Sequence, residues 1–273
     1  MFLDVHTHAF HPKIASKVLQ QLESHYGISP VGEGVVEDLL PRAKRAGLDG
    51  VVVHCAATAA AQVVPANAFA VELQRHHPEV VAFGTVHPEY QDWEHQLDRL
   101  RAAGIRGLKL HPEFQGFRLD DPRLLPIIEA AQDDFVFMCH IGDKLPPAEN
   151  PSCPYKLAAL LDAFPRARFI AAHLGGYLHW KYALEALVGR EVWMDTSSSL
   201  SFIDDATLRA IFDRHDRERI LFGSDYPLFD PADECHRLQR RLDLSDGEIE
   251  VLLSSAATLL GLNGQTNAAA PSA

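Results

Sequence analysis

Eight short apolar runs of strand length alternate with amphipathic stretches along this chain, and that rhythm limits what it can fold into. The runs lie at 2–8, 50–54, 80–86, 107–111, 135–140, 168–173, 191–196 and 219–225. They are almost continuously apolar, as strands buried on both faces of a parallel sheet must be. Helical periodicity fills 34–46, 66–77, 92–103, 122–133, 154–163, 179–189, 204–215 and 231–242, and further helices are predicted within 12–25 and at 245–260. Asp121-Pro122 reads as an N-cap followed by proline in the first helical position, and Gly47 and Gly104 stand where a C-terminal glycine belongs. The alternation predicts the α/β class and a (β/α)8 TIM barrel, as one domain over 1–262. A doubly wound open sheet is the alternative. It needs a glycine-rich phosphate turn after an early strand, and none is present. Residues 263–273 have no periodicity and are expected to form a disordered tail.

Composition narrows the function. The net charge is −12, with Lys and Arg scattered rather than striped, which argues against binding a phosphate backbone. Apolar residues make up 47% of the chain, enough for a sizeable core. No run approaches the ~20 apolar residues of a membrane span. The start goes straight into a strand, without a basic segment or cleavable apolar run, so a cytoplasmic protein is the expectation. The four cysteines, Cys55, Cys139, Cys153 and Cys235, show no close pairing and read as reduced thiols. The expected partner is a small-molecule substrate, with no nucleic acid and no membrane. A homodimer is expected only from the commonness of twofold assemblies.

The informative feature is where the metal-type residues fall. His6 and His8 end the first strand, His111 the fourth, His140 the fifth, His173 the sixth and Asp225 the eighth. Barrel active sites lie at the C-terminal rim, so residues far apart in sequence would converge there. Side chains two apart on a strand share a face, so Asp4, His6 and His8 are expected to point the same way. Two imidazoles at that spacing can reach one cation, at about 2.0–2.1 Å if it is zinc. Asp4 would then lie beneath the site and accept a hydrogen bond from a ligand histidine. Lys109 shares a face with His111, and Gln115 and Arg118 follow in the next loop, where a substrate carboxylate could be held. Asp195-Thr196-Ser197 ends the seventh strand and is a further candidate to line the pocket, while His54 ends the second strand at the same rim. Cys139 should face the helices and be inert. The proline-rich loop 141–154 is the expected specificity lid.

Together, Asp4-Val5-His6-Thr7-His8, Lys109-Leu110-His111-Pro112, His140, His173-Leu174-Gly175-Gly176 and Gly223-Ser224-Asp225-Tyr226-Pro227 resemble the amidohydrolase superfamily. Within it they resemble the amidohydrolase-related branch of metal-dependent TIM-barrel enzymes, which includes aminocarboxymuconate semialdehyde decarboxylase. The resemblance runs from residue 2 to about 260. It implies a catalytic divalent metal, one zinc with manganese as the alternative, bound by His6, His8, His140 and Asp225. Water would complete the shell, with His173 beside it as an acid/base. Asp225 would be ligand, water-orienting base, or both, since a carboxylate near a dication stays ionised. In two-metal members of the superfamily a carboxylated lysine on strand 4 bridges the metals. For Lys109 a carbamate bridge, a contact to a substrate carboxylate and a structural ion pair all stay open. His111 and Arg118 are read as substrate contacts. The reaction implied is hydrolysis of a small amide, ester or lactone. The alternative is non-oxidative decarboxylation of an aromatic or unsaturated acid at the same metal. Lys109 and Arg118 are the only basic anchors visible in the pocket loops, which favours hydrolysis. A non-catalytic metal-binding barrel should have lost a ligand or the acid/base, and none is missing.

Overall fold

The computed structural model describes residues 1–262, so the tail expected at 263–273 lies outside the described residues. Eight parallel strands follow one another around the sheet: β1 (Leu3–Thr7), β2 (Gly50–His54), β3 (Val80–Thr85), β4 (Gly107–Leu110), β5 (Val136–Cys139), β6 (Arg168–Ala171), β7 (Trp193–Asp195) and β8 (Ile220–Leu221). The end of the eighth strand returns to the first. Val5 N–H donates to the Phe222 carbonyl and Asp225 N–H to that of His6, each at 2.9 Å, and Thr7 bridges Tyr226. The sheet thereby curls into the (β/α)8 barrel that the alternation predicts.

Strand alternation divides the core into two layers. Leu3, Val5, Val52, Met138, Ile170 and Leu221 fill the barrel interior, together with Ala256 and Ala257. Val51, Val53, Leu110 and Cys139 meet Leu39 and Leu157 in the outer layer between barrel and helices. The helices are α1 (Pro12–Tyr26), α2 (Val36–Arg45), α3 (Val63–His76), α4 (Trp93–Ala102), α5 (Pro112–Gln115), α6 (Leu125–Ala131), α7 (Pro154–Ala163), α8 (Trp180–Ala186), α9 (Asp205–Arg214), α10 (Pro231–Leu242) and α11 (Asp246–Leu259). A reciprocal cap between Ser245 and Glu248 starts α11, whose Ala256 and Ala257 join the interior cluster beside β1 and β8.

Three local readings change. The helix expected over 122–133 starts only at Leu125, because the Asp121 carboxylate accepts from Arg123 N–H at 2.9 Å and holds a turn instead of capping. The turn at Pro112 is a short helix, α5, with that proline in its first turn. Strand pairing in β6 and β8 stops at Ala171 and Leu221, so His173 and Asp225 stand beyond the ladder, with φ of 63° and 65°. Left-handed backbone at such residues costs on the order of 1 kcal/mol or more. It is held by Leu174 N–H on the Asp195 carbonyl at 2.6 Å and by Asp225 N–H on His6.

Candidate active site

The first strand does not run straight into the site. Its register against β2 shifts between Asp4 and Thr7, a bulge that interrupts the period-two alternation. Asp4 and His6 therefore do not share a face as expected. The Asp4 carboxylate accepts from the backbone N–H of His6 at 3.1 Å and of Ser224 at 3.0 Å, and its charge is felt at Cys235 on α10. Asp4 fastens the ends of β1 and β8 from the helix side. Burial pushes its carboxyl up to about 7.

The carboxylate that reaches His6 is Asp195. His6 Nδ1 lies 3.1 Å from Asp195 Oδ2 and 2.9 Å from Ser197 Oγ. Ser197 in turn donates its hydroxyl to Asp195 Oδ1. His8 Nδ1 faces the His54 carbonyl at 3.2 Å. His173 Nδ1 meets the Ser197 carbonyl at 3.0 Å, and its Nε2 meets His140 Nδ1 at 2.9 Å. A carbonyl or carboxylate only accepts, so the hydrogen-bond network assigns the ring proton to Nδ1 in His6, His8 and His173. His173 Nε2 is then an acceptor, which puts the proton of His140 on its Nδ1 as well. The Nε2 lone pairs of His6, His8 and His140 thus point away from these partners; that of His6 accepts from Lys109 Nζ at 3.0 Å, and His140 Nε2 is buried without a partner. Those of His6 and His8 face Asp225 Oδ1 at 3.6 and 3.4 Å.

Electrostatics keeps the rings of His6, His140 and His173 neutral and holds Asp195 and Asp225 charged. Burial, followed by the charge of Lys109, lowers His6 to about 4. Burial and the neighbouring histidines hold His140 well below the usual range. Burial alone would raise Asp195 and Asp225. For Asp195, the attraction and hydrogen bond of His6 win and bring it to about 2. For Asp225, the pull of His6, with His8 and His173 beside it, holds it well below an ordinary carboxyl. The Ser198 hydroxyl donates to Asp225 Oδ2 and fixes the carboxylate. Gly223 leaves the room needed here, since a Cβ on it would stand 2.9 Å from the His6 Cβ.

Donor atoms of His6, His8 and Asp225 all lie within 4.8 Å of one another, and so do those of His6, His173 and Asp195. Neutral imidazole nitrogens beside an ionised carboxylate, each ring oriented by a second group, fit a divalent metal. His140 stands with His173 on the same cavity floor. Lys109 is fully buried with Nζ 3.0 Å from His6 Nε2, and burial lowers it to about 8. Among the described residues no carboxylate lies within ion-pair distance of it, which removes the structural ion pair. His111 stacks on His140, with 3.9 Å between ring centroids and 13° between planes, and its Nε2 is 3.4 Å from the Tyr26 hydroxyl.

Two expectations about the substrate pocket change. Arg118 does not face it. Its guanidinium is half-exposed and grips Asp120 at 2.9 and 3.1 Å, outside the cavity lining. The wall is also different. A cavity of about 1260 Å³ opens above His6, His8, Lys109, His140, His173 and Asp225, and α1 forms one side of it instead of the loop 141–154. That loop braces α1 from outside the cavity, with Asp143 on His25 at 2.9 Å and Lys144 on the His25 carbonyl. His54, fully buried, donates Nε2–H to the Val5 carbonyl at 2.9 Å and supports the floor without lining it.

The amidohydrolase family matches residues 3–262. The chain belongs to the amidohydrolase family. It is thus an enzyme of a metal-dependent superfamily. No curated protein matches it. The amidohydrolase resembles the structure of 2,6-dihydroxybenzoate decarboxylase from Rhizobium, at 16% identity and a TM-score of 0.72, over 96% of this chain and 99% of that one. A zinc-bound amidohydrolase from Burkholderia multivorans is similar at 15% identity and 0.71, over 96% and 99%. A probable 2-pyrone-4,6-dicarboxylic acid hydrolase from Acinetobacter baumannii is similar at 16% and 0.70, over 95% and 99%. At these identities the likeness concerns the fold. Among the described residues no helix is long and apolar enough to cross a membrane.

Proposed function

We propose that this amidohydrolase hydrolyses an amide, ester or lactone bond of a small molecule at one divalent metal. Nε2 of His6, His8 and His140 and the carboxylate of Asp225 would hold it, with zinc as the ion and manganese as the alternative. The observation that carries the reading is the hydrogen-bond partner that each ring's Nδ1 finds. Each of the three imidazoles has its N–H committed to a fixed acceptor, so three lone pairs and one ionised carboxylate share a cavity floor. A metal bound there supplies polarisation of the carbonyl and lowers the pKa of a water towards ~7.

The remaining work falls to the chain. Asp225, kept ionised and clamped by Ser198, accepts the proton of the attacking water and returns it to the leaving oxygen or nitrogen. His173 serves as a positioning residue, since its Nε2 is taken up by His140. Asp195 and Ser197 fix the ring of His6. His111 and Tyr26 offer polar atoms to the substrate above the floor. Decarboxylation is the second reading, and Lys109 favours it: a buried amine on the floor suits a substrate carboxylate. Among the described residues the cavity lining carries no arginine, however, which favours a carbonyl substrate over a polyanion.

The test uses zinc- and manganese-loaded protein against amides, esters and lactones, followed by titration of released acid. Aromatic acids are followed in parallel by release of carbon dioxide. The reading expects acid release that falls about 10²–10⁴-fold in Asp225→Asn. Carbon dioxide release alone selects the second reading. Inactivity of the loaded protein on both panels contradicts the two together.

A further inference from the structure

We infer that the substrate carries an uncharged apolar arm roughly 12 Å long, laid along α1 away from the reacting group. This deepens the proposed function and rests on its placing of the reacting group at the histidine floor. The 15-residue helix α1 buries only Ala15, so it is not held by an ordinary core face. Its cavity side nevertheless presents an apolar row of Ile14, Val18 and Leu22, each four residues apart, with Lys17, Gln21 and His25 beside it, and Ile14 is 49% exposed. The same four-residue step leads to Tyr26, whose hydroxyl is 3.4 Å from His111 Nε2 and whose ring centroid is 6.5 Å from that of His140. The ridge thus begins at the site and runs outward. From Leu22 to Ile14 it spans about 12 Å at 1.5 Å per residue. Phe10, Pro65, Ala66 and Phe69 line the same cavity, with His11, Thr58 and Gln62 among them, so the slot is mainly apolar beyond α1 as well.

Few charged side chains line the walls. Among the described residues the lining contains one carboxylate, Asp225, and two lysines, Lys109 on the floor and Lys17 on α1. The space is also larger than a small amide or a monocyclic acid needs. Its volume of about 1260 Å³ exceeds the ~300–1,000 Å³ of ordinary small-molecule pockets. A long-chain or fused-ring acyl compound fits these walls: its carbonyl meets the floor and its arm covers the ridge that water now touches.

Two probe series separate the arm from the chemistry. Titration calorimetry on the zinc-loaded full chain compares n-alkan-1-ols, which read only the slot, with n-alkyl hydroxamates, which also chelate a metal. Affinity should rise about fourfold per methylene in both series and level off at roughly eight to ten carbons. Val18→Asp should flatten that slope, while its circular dichroism and thermal midpoint stay at wild-type values. A flat series in the wild type, or a slope unchanged in Val18→Asp, overturns the arm. Hydroxamates binding more tightly than alkanols of equal length support the metal floor. Equal affinity with a retained slope overturns the proposed reaction and leaves the arm standing.

Discussion

Replacing Glu234 by glutamine should make the protein more stable at pH 8 and leave it unchanged near pH 4.5. Glu234 lies on the buried face of α10 with Pro231 and Leu238 and is 1% exposed. Arg237 Nε approaches Oε1 at 2.9 Å, yet neither carboxylate oxygen makes a hydrogen bond of good angle. Burial outweighs the pull of Arg237 and pushes the carboxyl from 4.5 up to about 7. The unfolded chain loses this proton near pH 4.5 and the folded chain near 7, so stability falls as pH rises through that window and stays low above it. At 1.36 kcal/mol per pKa unit the loss is at most about 3 kcal/mol. Glutamine keeps the shape and carries no charge, so it avoids the loss. The expected gain at pH 8 is about 1–3 kcal/mol, or roughly 3–10 °C in Tm for a chain of this size. Paired melts of both proteins at pH 4.5 and pH 8 read it directly. A gap that does not change with pH, or a variant weaker at pH 8, would refute the reasoning and make the contact with Arg237 a net stabiliser.

Other consequences follow from the site. Asp195→Asn should weaken metal binding about 10–100-fold, because the His6 ring loses the charge that orients it; competition with a chelating dye measures this, and wild-type affinity would remove Asp195 from the site. Arg118→Ala should leave kcat/KM within about twofold, since an exposed ion pair contributes little and the residue lies off the cavity; a large rise in KM would restore it as a substrate contact.

Local sequence pattern carried the barrel and most of the rim. Apolar runs give strands, and a residue closing such a run lies at the C-terminal rim, which is why His6, His8, His140, His173 and Asp225 group together in the sequence alone. What failed was set by neighbours. The direction of Asp4 depends on a bulge in the register of β1 on β2, which no period in 2–8 reveals. The pairing of His6 with Asp195 joins residues 189 apart, and in the sequence Asp195 looks the same as an acid that merely begins a turn. Arg118 advertised a charge but not its partner, although Asp120 lies two residues on. The loop 141–154 looked like a lid because of its length and prolines. The apolar step from Ile14 through Val18 to Leu22 was the better signal, and it pointed to α1 as the cavity wall.

Elemental analysis of the purified chain beside His6→Ala, His140→Ala and Asp225→Ala tests the central claim most directly. The account predicts about one zinc or manganese per wild-type chain and a loss of most of it in each variant. About two metals per chain would contradict the single-metal site and make Lys109 a bridging carbamate. No metal after growth in supplemented medium, or full retention in the variants, would contradict the metal centre itself.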